Sequence, residues 1–121
     1  MPNAKANAQM IIGQASAAGC FVGGASPYGC EEMSGNVWEW TRSLWGKNLF
    51  KPDFKYPYRA QDMRREDMKA TDEVFRVVRG GSFSSGAGRA RCACRRRDLP
   101  DGRHSHLGFR VVLRSAPVSS L

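Results

Sequence analysis

The residues that favour β-structure occur in three short runs, and long stretches rich in glycine, proline and charge separate them. The runs are residues 37–41, 74–79 and 108–113, and each combines β-branched or aromatic side chains over five or six positions. Runs of this length are typical of strands, whereas an amphipathic helix needs an apolar repeat over about ten or more residues. The last run is apolar enough for a sheet interior. We therefore predict short strands joined by long, irregular loops.

Outside these runs the sequence predicts little regular structure. Residues 4–18 are rich in Ala, Gln and Asn and predict a modest peripheral helix. The segment 45–71 contains prolines and alternating charges, which predicts an excursion with at most one helical turn inside 60–68. Small and basic side chains alternate over 90–95, as in a half-exposed strand, and the polar segment 98–106 predicts a loop.

Size and composition bound the class of protein. A chain of 121 residues with 41% hydrophobic residues is long enough for one globular domain and too apolar for an intrinsically disordered protein. No run of about 18 apolar residues occurs, and no secretory signal is visible, so no membrane span is expected. Four cysteines do not make a dense disulfide framework, which favours reduced thiols and a cytoplasmic location. The cysteines are Cys20, Cys30, Cys92 and Cys94.

The net charge of +8 is concentrated in the last third of the sequence. Between Arg79 and Arg114 there are nine arginines, opposed only by Asp98 and Asp101. A basic surface favours phosphates, acidic partners or anionic lipid without specifying one of them. A basic nucleic-acid-binding module is therefore one alternative function, although charge alone does not favour it, and it predicts affinity that falls steeply with salt.

Three motifs occur in a fixed order: MSGNVWEW at 33–40, RGGSF at 79–83 and LGFR at 107–110. Together they resemble the formylglycine-generating-enzyme (sulfatase-modifying factor) family. The resemblance implies an α+β, C-type-lectin-like fold, irregular, with short antiparallel strands and long loops. It implies that residues 28–121 form the C-terminal part of such a domain, whereas residues 1–27 match no part of it that we can name.

The first motif also has a local chemical logic. Gly35 and Asn36 permit a tight turn, and Trp38 and Trp40 are two residues apart on a strand and so share one face, with Glu39 opposite. From the residues alone, core packing of the aromatic pair and an arginine partner for Glu39 are favoured.

The resemblance adds a metal site to this motif. It implies a calcium ion held by the backbone carbonyls of Gly35 and Val37 and by the side chains of Glu32 and Glu39. Oxygen ligands of this mixture suit calcium. Calcium is thus one possible cofactor, and no cofactor is expected to be required.

Enzymes of the family use two cysteines five residues apart, which bind copper and activate oxygen. The resemblance places Cys92 at the second position, but Ala87 stands at the first. Catalysis is therefore not expected, and a degenerate relative of the oxidase is kept as an alternative. Cys92, Cys94, His104 and His106 could also surround zinc, but recurrent zinc sites mostly use wider cysteine spacing, so we favour a chance constellation.

A branch with the same fold, the variable proteins of diversity-generating retroelements, fits the sequence better. This protein resembles members of that branch. Their C-terminal segment is diversified by mutagenesis at adenines of a template copy. Such mutagenesis changes Asn codons to many residue types but never to Lys, Glu, Gln, Met or Trp. None of these types occurs from Ser82 to Leu121, whereas the first 81 residues contain 21 of them. The resemblance implies a variable region at 82–110.

The residues expected on the binding face follow no hydrophobic period and alternate with framework-like residues such as Arg91, Arg95 and Gly108. Loops on a rigid scaffold are suited to such a role, and an ordinary irregular surface loop is the alternative interpretation. We expect non-covalent recognition of a protein partner, with a glycan as alternative and with some pH sensitivity from histidine. The expected ligand-binding residues are Phe83, Ser84, Ser85, Gly86, Gly88, Cys94, Arg96, Asp98, Leu99, His104, Ser105 and His106.

Overall fold

The computed structural model describes residues 4–115, which form one four-stranded sheet and a short 3-10 turn. The sheet order is β3-β2-β1-β4. Strand β1 pairs antiparallel with β2, β2 pairs antiparallel with β3, and β1 pairs parallel with β4. In sequence order the elements are β1 (Trp38–Gly46), the 3-10 turn (Met63–Glu66), β2 (Phe75–Arg79), β3 (Arg95–Asp98) and β4 (Leu107–Gly108).

Strands β1 and β2 confirm the first two predicted runs and carry most of the core. Val77 and Val78 of β2 are buried, and Trp38 of β1 is 2% exposed. Burying one such side chain contributes about 1.5–3 kcal/mol. The predicted helical turn is also confirmed, since the 3-10 turn lies inside 60–68.

The predicted helix over 4–18 is wrong, because the backbone of this segment bonds to the rest of the molecule. The Gln9 amide donates to the Ser85 carbonyl at 2.9 Å, and the Met10 amide donates to the Phe83 carbonyl at 2.8 Å. Gln9 and Met10 both have positive φ, which a right-handed helix excludes. Tertiary pairing overrides the weak helix propensity of the segment.

The third strand lies later than predicted. Residues 90–94 form turns, and β3 begins only at Arg95, where it pairs with Arg79. The physical reason lies in Gly81, which has a φ of 73° and approaches Ala90 so closely that an added Cβ would lie 3.0 Å from the Ala90 Cα. Ala90 therefore packs against the glycine turn, and pairing with β2 begins only at Arg95. The predicted loop follows β3 over 99–106.

The interior strand predicted at 108–113 is also wrong. Only Leu107 and Gly108 pair with β1, and beyond them Phe109 is 75% and Leu113 is 95% exposed. The side chain of Arg110 is bound to Glu39, and no described strand lies beside residues 109–113. A run of apolar residues specifies a strand only where a neighbouring strand supplies its hydrogen bonds.

Candidate ligand-binding site

A cavity of about 190 Å³ lies between the sheet and the loop that follows β3. Each of the four strands contributes to its wall, and the loop 99–106 adds two histidines. The lining residues are Trp38, Val78, Arg96, Arg97, Asp98, His104, His106 and Leu107. Four of them, Arg96, Asp98, His104 and His106, belong to the predicted ligand-binding set.

The alternation of side chains along β3 decides which arginine faces the cavity. Successive residues of a strand point to opposite faces of the sheet. The guanidiniums of Arg95 and Arg97 lie 5.5 and 5.7 Å from the Trp45 ring, whereas that of Arg96 lies 5.5 Å from the Trp38 ring. Arg96 is thereby held on the aromatic floor of the cavity.

The two arginines at Trp45 have structural partners, and in this respect they differ from Arg96. Arg95 donates to the Tyr58 hydroxyl at 2.6 Å, and Arg97 donates to the Leu49 carbonyl at 2.8 Å, so both anchor the 45–71 excursion. Within the part of the molecule that the structure describes, the guanidinium of Arg96 makes no hydrogen bond or ion pair. Its forked set of N–H donors therefore has no acceptor among the described residues.

The two histidines of the loop stack on one another. Their ring centroids lie 5.2 Å apart at an interplanar angle of 15°, and His104 Nε2 lies 3.1 Å from a carboxylate oxygen of Asp98. The backbone carbonyl of His106 accepts from the Trp38 amide at 2.7 Å, which fixes the loop to β1. Burial, together with the charges of His104 and Arg96, lowers the pKa of His106 below its usual value, and Asp98 opposes this shift.

The remaining predicted ligand-binding residues divide by burial. Phe83 is 9% and Ser85 is 5% exposed, so the expectation that these two lie on an open face is wrong. Both lie in the stretch that pairs with the N-terminal segment through backbone hydrogen bonds. Cys94 and Leu99 are half-buried, and the exposed members of the set are Ser84, Gly86, Gly88 and Ser105.

Two strand residues that line the cavity were not predicted to do so from the sequence. It predicts core packing for Trp38 and no role for Arg97, yet both line the cavity. The signal for Arg97 is its position in the Arg-Arg-Arg-Asp stretch, which becomes informative only when β3 is placed at 95–98 and not at 90–95.

The residues expected to hold calcium are arranged around an arginine. Arg110 donates to both carboxylate oxygens of Glu39, at 2.6 and 2.7 Å, and to the backbone carbonyls of Glu31 and Glu32, each at 2.8 Å. The hydrogen bonds that Arg110 donates to Glu39 raise the pKa of Arg110 further above its usual value. This arrangement does not fit a calcium ion at Glu39, because a cation already faces that carboxylate. The predicted arginine partner of Glu39 is confirmed.

The structure gives the other three calcium candidates separate contacts. Gly35 donates its amide to the Gly80 carbonyl at 2.6 Å, and a Glu32 carboxylate oxygen lies 3.3 Å from the Gly19 amide. Val37 lines a cavity of about 520 Å³ beside Glu39 and Arg110. Across residues 4–115, no three or more His, Cys, Asp or Glu side chains are grouped as a metal site would need.

The cysteine and histidine pairs considered for zinc lie in different places. Cys92 is exposed and lines a cavity of about 680 Å³ with Trp40 and Arg79, whereas the two histidines line the cavity over Trp38. All four cysteines are unpaired. Ala87 is exposed in the turn region before Cys92.

The sheet, its long loops and this cavity define an α+β, C-type-lectin-like protein. A solved structure of similar fold is Treponema denticola variable protein 1, which superposes with a TM-score of 0.57 at 23% sequence identity. The superposition covers 87% of this protein and 34% of that one. The likeness confirms the predicted fold class.

The family follows from the sequence comparison. The family model of the sulfatase-modifying factor enzyme 1-like domain matches residues 5–115, and the protein belongs to this family. It is 34% identical over 100 residues to the formylglycine-generating enzyme of Mus musculus, covering 76% of this sequence and 23% of that protein. It is 40% identical over 88 residues to the serine/threonine-protein kinase pkn1 of Chlamydia caviae, covering 73% and 13%.

The matched region is a small part of each relative. The match spans between 13% and 27% of the length of the curated relatives. Residues 4–115 contain no helix with the length and apolar character needed to cross a membrane.

Proposed function

We propose that this protein is a ligand-binding protein that displays a variable surface on its C-type-lectin-like scaffold, diversified by a retroelement, and recognises a protein partner. The observation that carries the proposal is the composition of the cavity over Trp38. Its floor comes from framework strands, whereas Arg96, His104 and His106 come from the stretch that follows the glycine turn. Side chains on a loop above a rigid sheet can change without cost to the core.

The residue types of the C-terminal region support diversification. Lys, Glu, Gln, Met and Trp are absent from Ser82 to Leu121 although they are common before it. The fold is shared with a protein named for its variability. Within the predicted region, the buried Phe83 and Ser85 would be held constant, because changes there would disturb the core.

Sequencing of the coding region for residues 82–110 across the source population tests this proposal. We expect substitutions confined to positions that are adenines in a near-identical template copy at the same locus. The codons for Gly80, Gly81, Gly108 and Phe109 should be spared. A uniform sequence without a template would refute diversification.

Binding without a required metal forms part of the proposal. Arg110 supplies the positive charge at Glu39 that the family resemblance assigned to calcium. The unpaired cysteines support a reducing compartment, and so a cytoplasmic location. A glycan ligand is less favoured than a protein, because a cation already occupies the carboxylate around which the resemblance implied a calcium site.

An oxidase related to the formylglycine-generating enzymes is the second candidate, favoured by the identity to the mouse enzyme. It would depend on Cys92, which is exposed beside a cavity, but Ala87 replaces the first cysteine that the resemblance requires. Copper titration of the reduced protein and of Cys92→Ser, with Cys20→Ser as a matched exposed control, separates the candidates. Stoichiometric copper binding lost only in Cys92→Ser would favour the oxidase.

A further inference from the structure

The cavity over Trp38 contains a cationic group that has no counterion among the described residues. Arg96 is half-buried against the Trp38 ring, and its guanidinium has no hydrogen-bond or ion-pair partner within residues 4–115. The one carboxylate in the lining, Asp98, is already engaged, by His104 at 3.1 Å and by the Leu99 amide at 2.9 Å. A half-buried guanidinium is normally paired with an anion or with carbonyls, so this fork of donors is available to a ligand.

The charge and size of the cavity specify the kind of anion. The Arg96 guanidinium is the arginine head group on this side of β3, because that of Arg97 lies 5.7 Å from the Trp45 ring on the other side of the strand. Arg97 is partly committed to the Leu49 carbonyl. The volume of about 190 Å³ is below the range of drug-sized ligand pockets and suits one small group. A single negative charge on a planar group matches both properties, since the guanidinium fork pairs bidentately with a carboxylate.

We propose that this cavity binds a carboxylate of the partner, from an Asp or Glu side chain or from the partner's own C-terminus, with Arg96 as the forked donor and His106 taking up a proton on binding. The inference rests on the proposed function, for which it names the chemistry that the binding face recognises.

Proton uptake follows from the groups around His106. The charged and titratable groups that face it are Arg96 and Asp98 from β3 and His104 from the loop. Strands β1, β2 and β4 contribute Trp38, Val78 and Leu107, which carry no charge. Burial, and then the positive charges of His104 and Arg96, lower the pKa of His106 and so favour its neutral imidazole. A bound carboxylate adds a negative charge beside it and favours the protonated form. By linkage, binding tightens by up to about tenfold for each unit by which the pH falls between the two pKa values.

Titration of the protein by NMR tests the proposal, with imidazole and arginine side-chain signals as the readout. The probes are Nα-acetylglutamate α-amide, which carries the carboxylate of a side chain, and N-acetylglycine, which carries that of a C-terminus. Their neutral matches are Nα-acetylglutamine amide and N-acetylglycinamide. We expect saturable shifts with the charged probes and none with the neutral ones. The tighter charged probe identifies the source of the carboxylate.

Variants connect the binding to the named side chains. Arg96→Gln should weaken binding by at least about tenfold, because it removes a charge-assisted bidentate contact. Arg103→Gln, an exposed arginine of the same loop region outside the cavity, should leave affinity within about twofold. His106→Gln should keep binding at pH 7.5 but lose the tightening at pH 5.5. Melting temperatures of all variants separate lost binding from lost folding, and Arg96→Lys, which keeps the charge without the fork, should be intermediate.

Defined results overturn the inference. Equal affinity of folded Arg96→Gln and Arg103→Gln for the probes would do so, as would tighter binding of inorganic phosphate than of either carboxylate. If these results accompany a diversified coding region, the carboxylate chemistry fails and the proposed function stands. A uniform coding region refutes the proposed function whatever the probes show.

Discussion

At Glu39, one carboxylate could hold either a calcium ion or an arginine, and the position of Arg110 decides between them. The guanidinium takes both carboxylate oxygens and two backbone carbonyls, which ties the segment after β4 to the segment before β1. Four charge-assisted donors in one plane are more than a surface ion pair provides. Glu39, in the motif at 33–40, therefore binds Arg110 of the motif at 107–110, which lies far away in the sequence.

Replacement of Arg110 by Gln should lower the free energy of unfolding by about 1–2 kcal/mol, a value reduced by solvent screening because 36% of its side chain is exposed. Urea denaturation measures this change, with Arg103→Gln as a control for the lost charge. Addition of EDTA should leave the wild-type melting temperature unchanged. A fall of several degrees on chelation, restored by calcium, would show that the calcium assignment is right and the arginine assignment wrong.

His106 makes stability depend on pH. Its pKa is lowered in the folded protein, mainly by burial, so the unfolded protein binds the proton more readily. The resulting stability is present above the unfolded pKa of about 6.5 and is lost as the pH falls through the folded pKa. We expect the melting temperature to fall between pH 7 and pH 5 in a buffer without carboxylates.

The matched variant for this prediction is His106→Gln, which should show a smaller fall in melting temperature over the same range. Arg103→Gln should retain the wild-type fall. If His106→Gln and the wild type lose stability in parallel, another group causes the dependence.

At the scale of elements, β3 uses its two faces for different purposes. Arg95 and Arg97 pack on Trp45, and Arg95 also lies 5.4 Å from the Tyr58 ring, so this face fastens the excursion 45–71 to the sheet. The other face presents Arg96 to the cavity. A strand of four residues thus supplies both a clamp and the arginine that we propose binds the partner, because its side chains alternate.

The clamp predicts that Arg95→Gln loosens the excursion. The variant loses the hydrogen bonds to the Tyr58 hydroxyl and the Phe54 carbonyl, and the cation that stacks on Trp45. We expect trypsin to cleave within 45–71 at least several-fold faster, since local opening exposes the backbone. Arg91→Gln, which among the described residues loses a hydrogen bond to the nearby Gly88 carbonyl, should be cleaved there at the wild-type rate. Equal rates would show that the excursion is held by other contacts.

At the scale of the whole molecule, part of the positive charge is built into the structure. Arginines in four different segments donate to carbonyls, to a carboxylate or, for Arg65, to the Ser43 hydroxyl of β1 and so hold loops against the sheet. Their charge is only partly available to a partner. These arginines are Arg65, Arg76, Arg95, Arg97 and Arg110. The net charge of +8 is therefore a poor guide to function.

We expect the protein to bind a random-sequence DNA duplex only as weakly as proteins bind DNA non-specifically, with a Kd of about 10⁻⁴–10⁻⁶ M at physiological salt. Fluorescence anisotropy over a salt series measures this. Arg95→Gln and Arg103→Gln form a matched pair of variants. The first removes a charge engaged within the protein, and the second removes an exposed charge. Only Arg103→Gln should reduce the dependence of the DNA affinity on salt concentration. Affinity a thousandfold tighter would favour the nucleic-acid alternative.

The sequence predicts those parts of the fold in which local preference and tertiary structure agree. The runs at β1 and β2, the turn inside 60–68 and the loop after β3 follow from residue type and spacing, and the ordered motifs identify the family. Arg96, Asp98, His104 and His106 are also predicted as binding residues from the sequence, and the structure brings them together at one cavity. Their binding role remains a prediction.

The tertiary structure decided everything that depends on a partner distant in sequence. Residues 4–18 form backbone hydrogen bonds with residues 83–85 instead of the hydrogen bonds of a helix. The apolar run after Gly108 is exposed, because no described strand lies beside it. The start of β3 depended on the packing of Ala90 against the glycine turn. Local sequence sets the preferences of the backbone, but register, burial and counterions come from contacts between segments. These contacts decide which arginines have a structural partner and which, like Arg96, have none among the described residues.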